Sequence, residues 1–147
     1  MSDVQLLPYA DFLGITLVSH EGGSPLLSMP YSEGLNGMPG RLHGGAIAGL
    51  LEIAAIAAID ATLEEPDDPR QRFKPINVTV DYMRPGRPVE TFARGVAVRV
   101  GSRIGSVHVE AWQESPDKPI AAARMKLLIA QKAEEQAEGP TDNTEGQ

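Results

Sequence analysis

The stretch Leu42-His43-Gly44-Gly45-Ala46-Ile47-Ala48-Gly49-Leu50-Leu51-Glu52-Ile53-Ala54-Ala55-Ile56-Ala57-Ala58-Ile59-Asp60 decides the architecture. From Gly44 to about Leu63, alanine, isoleucine and leucine fall on nearly all sides of a 3.6-residue period, so the predicted helix must be surrounded by other structure. Glu52 and Asp60 interrupt the run, and a central acid costs roughly 2.5–3.5 kcal/mol in a bilayer, so the segment reads as a buried helix rather than a membrane span. The two glycines at its start leave backbone N–H groups unpaired and sterically open, and the helix dipole adds partial positive charge there. A carbonyl oxygen that gains charge during acyl transfer is the ligand such a terminus stabilises most, one donor contributing about 3 kcal/mol. The same glycine pair is equally compatible with a tight entry turn that binds nothing.

Outward from this helix the pattern changes to strands. Residues 3–12 predict a short helix, broken at Pro8, that turns Leu6, Leu7 and Phe12 inward. Ile15–His20 alternates as a strand, Glu21-Gly22-Gly23-Ser24 supplies a turn, and Leu26–Met29 returns as its hairpin partner. Gly34–Gly40 holds several glycines and a proline, which predicts a loop with unusual backbone angles. Beyond the proline- and acid-rich loop Glu64–Pro69 come four strand-like segments, Pro75–Met83, Thr91–Val100, Arg103–Gln113 and Ile120–Ala130, joined by short connections. The first sets Ile76, Val78, Val80 and Tyr82 on one face and Asn77, Thr79 and Asp81 on the other. Short connections predict antiparallel neighbours throughout. The result is an α+β layout in which a curved antiparallel sheet of five to six strands wraps one long helix.

At 147 residues the chain fits one domain, here residues 1–130, followed by a tail over 131–147 that carries five acids against one lysine and is expected to be solvated. Twenty acidic against thirteen basic residues, a net charge of −7, argue against a nucleic-acid partner. Between residues 70 and 103 the balance reverses: Arg70, Arg72, Lys74, Arg84, Arg87, Arg94, Arg99 and Arg103 face only Asp81 and Glu90, a zone suited to ligand phosphates or simply to solvent. The absence of cysteine removes disulfides, thiol nucleophiles and cysteine-ligated metals, and His20, His43 and His108 are too dispersed for a local zinc site. Phosphate-loop, dinucleotide-loop and serine-elbow motifs are also missing. Met1–Pro8 lacks a targeting pattern, so the expected location is the cytoplasm.

Glu52 stands alone among apolar neighbours, with Ala48, Gly49, Ala55 and Ile56 at helical spacing offering no partner. A carboxylate without a partner is expensive to bury, which suits a general base or nucleophile, unless it occupies the one exposed stripe of the helix. Gly44 and Glu52 are eight residues apart, a rise of roughly 12 Å, whereas reacting groups must approach within about 3–3.5 Å. Two copies with their helices antiparallel about a twofold axis would bring the Glu52 of one to the Gly44 of the other. Trp112, Phe92 and Phe73 read as packing aromatics, His108 as a satisfied strand residue, and Asp60 as the wet end of the helix.

Taken together, Asn36-Gly37-Met38-Pro39-Gly40-Arg41-Leu42-His43-Gly44-Gly45, Leu51-Glu52-Ile53-Ala54 and Val80-Asp81-Tyr82-Met83-Arg84-Pro85 resemble the hotdog-fold acyl-CoA thioesterases of the PaaI-like and 4-hydroxybenzoyl-CoA thioesterase group, over about residues 10–130. The resemblance implies a hotdog fold, a cytoplasmic homodimer or homotetramer, and hydrolysis of a CoA thioester without metal or other cofactor. By the same resemblance, Gly44 donates its N–H to the thioester oxygen beside Gly45, His43 orients that loop, and Glu52 of the opposite subunit is base or nucleophile. It also places Tyr82, Met83, Arg84 and Pro85, with Gly101, Ser102 and Arg103, along the CoA arm. Two positions depart from the family pattern: Gly37 stands where many members carry asparagine, with Asn36 one step earlier, and Pro75 stands where many carry Ser or Thr, leaving Asn77 or Thr79 either as imperfect substitutes or as ordinary outward-facing strand residues. A hotdog dehydratase or hydratase, and an acyl-CoA-binding protein without activity, are the rivals; the D-x-N-P-x-H pattern of the hydratases is absent.

Overall fold

Packing around one helix organises the molecule. In the computed structural model, which describes residues 6–20, 23–63 and 73–130, α2 (Gly44–Asp60) is buried at every position from Gly49 onward except Glu52. Around it run β1 (Thr16–Ser19), β2 (Leu26–Met29), β3 (Phe73–Tyr82), β4 (Thr91–Val100), β5 (Ile104–Trp112) and β6 (Pro119–Ile129), all antiparallel, in the order β1-β2-β4-β5-β6-β3. The inner face of the sheet is rich in small residues: Ala93, Gly95, Ala111, Ala121 and Ala123, with Val107, Val109, Met125 and Leu127. That lets α2 settle close to the strands. A Cβ on Gly95 would lie 3.0 Å from the Ala58 Cβ, and one on Gly105 would overlap Ile59 Cδ1.

The helix α1 (Pro8–Leu13) caps one side of α2. Pro8 occupies a first-turn position, where the missing N–H costs nothing, and so starts the helix rather than breaking it. Gly14, with φ of 74°, ends it. Ala10 and Leu13 are then the inward pair; Phe12, expected inside, is 80% exposed and stacks on Tyr9 with ring centroids 5.9 Å apart.

Most of the strand reading holds, with Leu26–Met29 and Thr91–Val100 unchanged and the other ends shifted by one or two residues. One neighbour relation does not. β3 pairs with β6, not with β4, and so forms the far edge of the sheet. Its short link to β4 crosses beneath two strands, because eight extended residues span up to about 26 Å. Three contacts hold that link in place: Leu42 N–H donates to Gly86 O (3.0 Å), and Met83 and Arg84 N–H both donate to Ile120 O (2.8 and 3.1 Å). Asp60 also differs from expectation, being 6% exposed at the last position of a helix that ends at Asp60 rather than Leu63. There the Thr62 hydroxyl and N–H both donate to Ile59 O and close the turn.

The basic run does not form one surface. Arg84 and Arg87 lie at one end of the sheet and Arg103 at the other, while Arg94 and Arg99 pair in register with the outward-facing Glu110 and Ser106. Residues Glu21, Gly22, the loop 64–69, Arg70, Arg72 and the tail 131–147 lie outside the described residues. Among the described residues, no helix is long and apolar enough to cross a membrane.

Candidate active site at the start of the central helix

His43 is the N-cap of α2, and its Nδ1 accepts the Gly45 N–H at 2.8 Å. The next two amides, of Ala46 and Ile47, donate to His43 O at 3.0 and 3.2 Å. Gly44 N–H is left over: at the first helical position it has no intrahelical acceptor, and no other acceptor among the described residues takes it. The histidine that caps the terminus thus singles out one donor for a ligand. Gly37 explains its own presence, since a Cβ there would lie 3.2 Å from both Cα and Cδ2 of His43.

Tyr82, on the helix side of β3, completes this corner. Its hydroxyl donates to Gly44 O at 2.9 Å, and a Cβ on Gly44 would meet its ring at 3.3–3.4 Å. The glycine lets the aromatic ring sit directly on the helix end. Below it, Gly45, Ala48 and Glu52 form the one stripe of α2 that is not buried, bordered by Tyr82 on one flank and by Tyr9 and Leu13, packed on Gly49, on the other. Glu52 is half-buried on this stripe and has no hydrogen-bond or ion-pair partner among the described residues. Within one chain it is two turns from Gly44, about 12 Å along the axis.

Arg84 and Pro85 line a cavity of about 250 Å³ with Arg87, Gln113, Glu114, Lys118 and Ile120. Arg84 Nη1 donates to Pro119 O at 3.3 Å, and the Gln113 side-chain amide exchanges hydrogen bonds with the backbone of Arg87 (3.1 and 2.9 Å), which holds this basic corner in shape. Arg87 also pairs with Glu114 at 2.9 Å, while Lys118 sits 3.9 Å from the same carboxylate. Sequence reading placed Arg87 in the basic run but missed Gln113 and Lys118, because they join it only through the crossing of the β3–β4 link. Met83 is exposed beside Tyr82.

Several expected site residues lie elsewhere. Asn36 turns its amide onto the Tyr31 hydroxyl (2.8 Å) rather than toward Gly44. Asn77 and Thr79 are opposite Lys126 and Arg124 of β6, on the outer face of the sheet, whereas the β3 residues facing α2 are opposite the buried Met125, Ala123 and Ala121. Gly101, Ser102 and Arg103 join β4 to β5 beside the Asp60 end of α2, where Gly105 meets Ile59, so one chain holds them at the opposite end from Gly44. His108 is half-buried on the outer face, its Nε2 3.4 Å from Glu110. Phe92 and Trp112 stack at 6.3 Å, and Phe73 is buried. Among the described residues, no three His, Asp or Glu side chains are grouped to hold a metal.

A six-stranded antiparallel sheet wrapped on a single long helix is the hotdog fold, and the chain resembles solved proteins of that class. One, from Chromobacterium violaceum, is 32% identical with a TM-score of 0.66 over 86% of this chain and 85% of its own. A mutant structure of the phenylacetic acid degradation protein PaaI from Thermus thermophilus, 22% identical with a TM-score of 0.70, shares the fold over 84% of this chain and all of its own. Residues 39–120 match the model of the Thioesterase superfamily, and the chain belongs to that family. A medium/long-chain acyl-CoA thioesterase, YigI of Salmonella typhimurium, is 32% identical over 120 residues, 74% of this chain and 77% of that protein. The aligned segment spans 65% of a Halobacterium salinarum relative and 53% of the Escherichia coli YigI.

Proposed function

We infer that this chain hydrolyses acyl-CoA thioesters in a site shared by two copies, with Gly44 N–H of one protomer and Glu52 of its partner acting on the same carbonyl. The observation that carries the reading is the single unpaired amide at the start of α2, set apart by the His43 cap. Ala48 is the midpoint between Gly44 and Glu52. A twofold axis at Ala48 sets each Glu52 opposite the other protomer's Gly44, and the open stripe Gly45, Ala48, Glu52 then meets its own reverse. Glycine and alanine at the contact allow a close helix approach. The ten-residue edge strand β3, half-exposed at Val78 on its helix side, offers unpaired backbone for the same antiparallel association. That pairing also brings the partner's Gly101–Arg103 turn to the end where Arg84, Arg87 and Lys118 await phosphates.

In the reaction, water adds to the thioester carbon as Glu52 takes its proton, Gly44 N–H holds the oxyanion, and the C–S bond breaks as the proton passes to the thiolate of CoA. Direct attack by the carboxylate would instead form a mixed anhydride that water opens. The chemistry needs no metal or redox cofactor. The names of the YigI relatives favour a medium or long acyl chain, and the exposed Tyr9–Phe12 pair beside Gly49 supplies apolar surface for one.

A thiol-trapping assay over short, long and aryl acyl-CoAs tests the activity: turnover is expected in wild type and not in Glu52→Ala, with CoA binding kept. Full turnover in the variant removes Glu52 from the mechanism. Mixing inactive Glu52→Ala with an inactive Gly44 variant should restore part of the activity through hybrid dimers. No recovery despite confirmed subunit exchange refutes the shared site. A single turnover in oxygen-18 water tests direct attack, since label in Glu52 arises only from an anhydride that water opens at the Glu52 carbonyl.

A further inference from the structure

The outer face of the sheet carries a second cavity, of about 570 Å³, lined by Asn77, Thr79, Val98, Ser106, Val107, His108, Arg124, Met125 and Lys126. Thr79, Arg124 and His108 form one cross-strand row and Asn77, Lys126 and Ser106 the next, so both cations sit on a central strand, flanked on either side. Directly opposite side chains in such rows lie about 4.5–5.5 Å apart. On a plainly solvated sheet face, a cation gains most from a carboxylate opposite it. Here all four opposite neighbours are neutral or imidazole groups able to donate hydrogen bonds. Arg124 and Lys126 have no carboxylate partner among the described residues, and the nearby Glu110 is engaged by His108. In a protein of net charge −7, two cations with no carboxylate directly opposite either of them are conspicuous; the nearest acids, Asp81 and Glu110, flank Ala122 in the next row.

The cavity also has shape. Irregularities in strand register flank it on both sides, between Ala97 and Arg99 in β4 and between Pro75 and Asn77 in β3. Val98, at the first of these, is 69% exposed and gives the cavity an apolar side. Its volume falls within the range of ligand sites, and its floor is rigid sheet rather than loop.

We propose that this groove binds a small organic anion, its carboxylate or phosphate oxygens between Arg124 and Lys126 and its apolar body against Val98. The site is separate from the helix terminus, lies on the other side of the sheet, and does not depend on the hydrolase reading. Both products of a thioester hydrolase, a free acid and CoA, belong to this chemical class.

Calorimetric titration of the full chain with octanoate, coenzyme A and inorganic phosphate tests the proposal. One of the two organic anions should show a site, one per chain and additional to any at the Gly44 end, that weakens at least tenfold in Arg124→Ala/Lys126→Ala. Tighter octanoate identifies the acid as the source, tighter CoA the phosphates. Ser106→Asp, which sets a carboxylate opposite Lys126, should weaken the same site without lowering thermal stability. Equal binding in wild type and both variants overturns the proposal, as does inorganic phosphate binding as tightly as either organic anion. A smaller assembly for the double variant in sedimentation velocity, with no lost ligand site, overturns it in favour of a second copy covering this face.

Discussion

The two ends of α2 use the same small residues for opposite purposes. At the Asp60 end, Gly95 and Gly105 remove Cβ atoms that would meet Ala58, the Ala54 carbonyl and Ile59, and the sheet closes onto the helix. At the Gly44 end, the missing Cβ atoms would meet only the Tyr82 ring and the His43 cap, and what they leave is a reachable backbone donor. A glycine beneath a helix deepens a core; a glycine at its start exposes chemistry. The comparison predicts that damage at the front end appears in turnover and damage at the rear end in stability.

The largest effect belongs to Glu52, on the open front half. Glu52→Gln keeps size and polarity and removes only the proposed proton acceptor, so kcat/KM for acyl-CoA should fall by about 10²–10⁴-fold, or roughly 3–5 kcal/mol. The side chain is half-buried and without a partner, so the melting temperature should stay within about 2 °C. A stable variant with unchanged kcat/KM would sink the front-end assignment.

Next in size is the rear end. Gly105→Ala drives a methyl into Ile59, which is fully buried, and overpacking of this kind costs about 1–3 kcal/mol. Thermal unfolding should shift downward by several degrees, while kcat per folded molecule changes less than twofold. An unshifted melting curve would show that Ile59 has room to yield.

How much of this was legible in the sequence follows from the range of each interaction. The helix was, because alanine and isoleucine on every side leave it no choice but burial, and so was the alternation in β3. The glycine pair that opens the helix and the lone acid at Glu52 were legible because those signals are local, whereas His43 came into view only through the family resemblance. The edge position of β3 was not, since a short connector says how far the chain can reach and nothing about which strand it meets. The gathering of Arg84 with Arg87, Gln113 and Lys118 depends on that crossing and was invisible for the same reason. Asn77 and Thr79 are instructive: their alternation with Val78 and Val80 already set them on the opposite face from the helix, and only family resemblance drew them toward the site. Burial of Asp60 and exposure of Phe12 turn on where each helix ends, the least local-sequence-determined feature of a helix.

A smaller effect is expected at the cap. His43→Ala removes the acceptor for Gly45 N–H and should cost about 1 kcal/mol of stability, in line with other N-caps. It also leaves two free amides in place of one, so the oxygen is less sharply positioned and kcat should drop by about tenfold. His43→Asn, which can accept the same bond, should recover most of the stability. Recovery of stability without recovery of rate would give the imidazole a part beyond capping.

The smallest effect separates positioning from contact. Tyr82→Phe deletes only the hydroxyl that donates to Gly44 O, at an exposed bond whose net worth lies near the low end of about 0.5–1.5 kcal/mol. The ring still rests on Gly44, so the helix start keeps its place but is held less firmly. A loss of a few fold in kcat with KM unchanged, and a melting shift of no more than a few degrees, is therefore expected. Because the hydroxyl holds the carbonyl of Gly44 and not its amide, loosening it moves the free N–H of the same residue only through the intervening backbone, which is why the effect should be small. A loss beyond about 30-fold with unaltered stability would mean that the hydroxyl touches the substrate directly, and the front end of α2 would then offer two donors to the oxyanion rather than one.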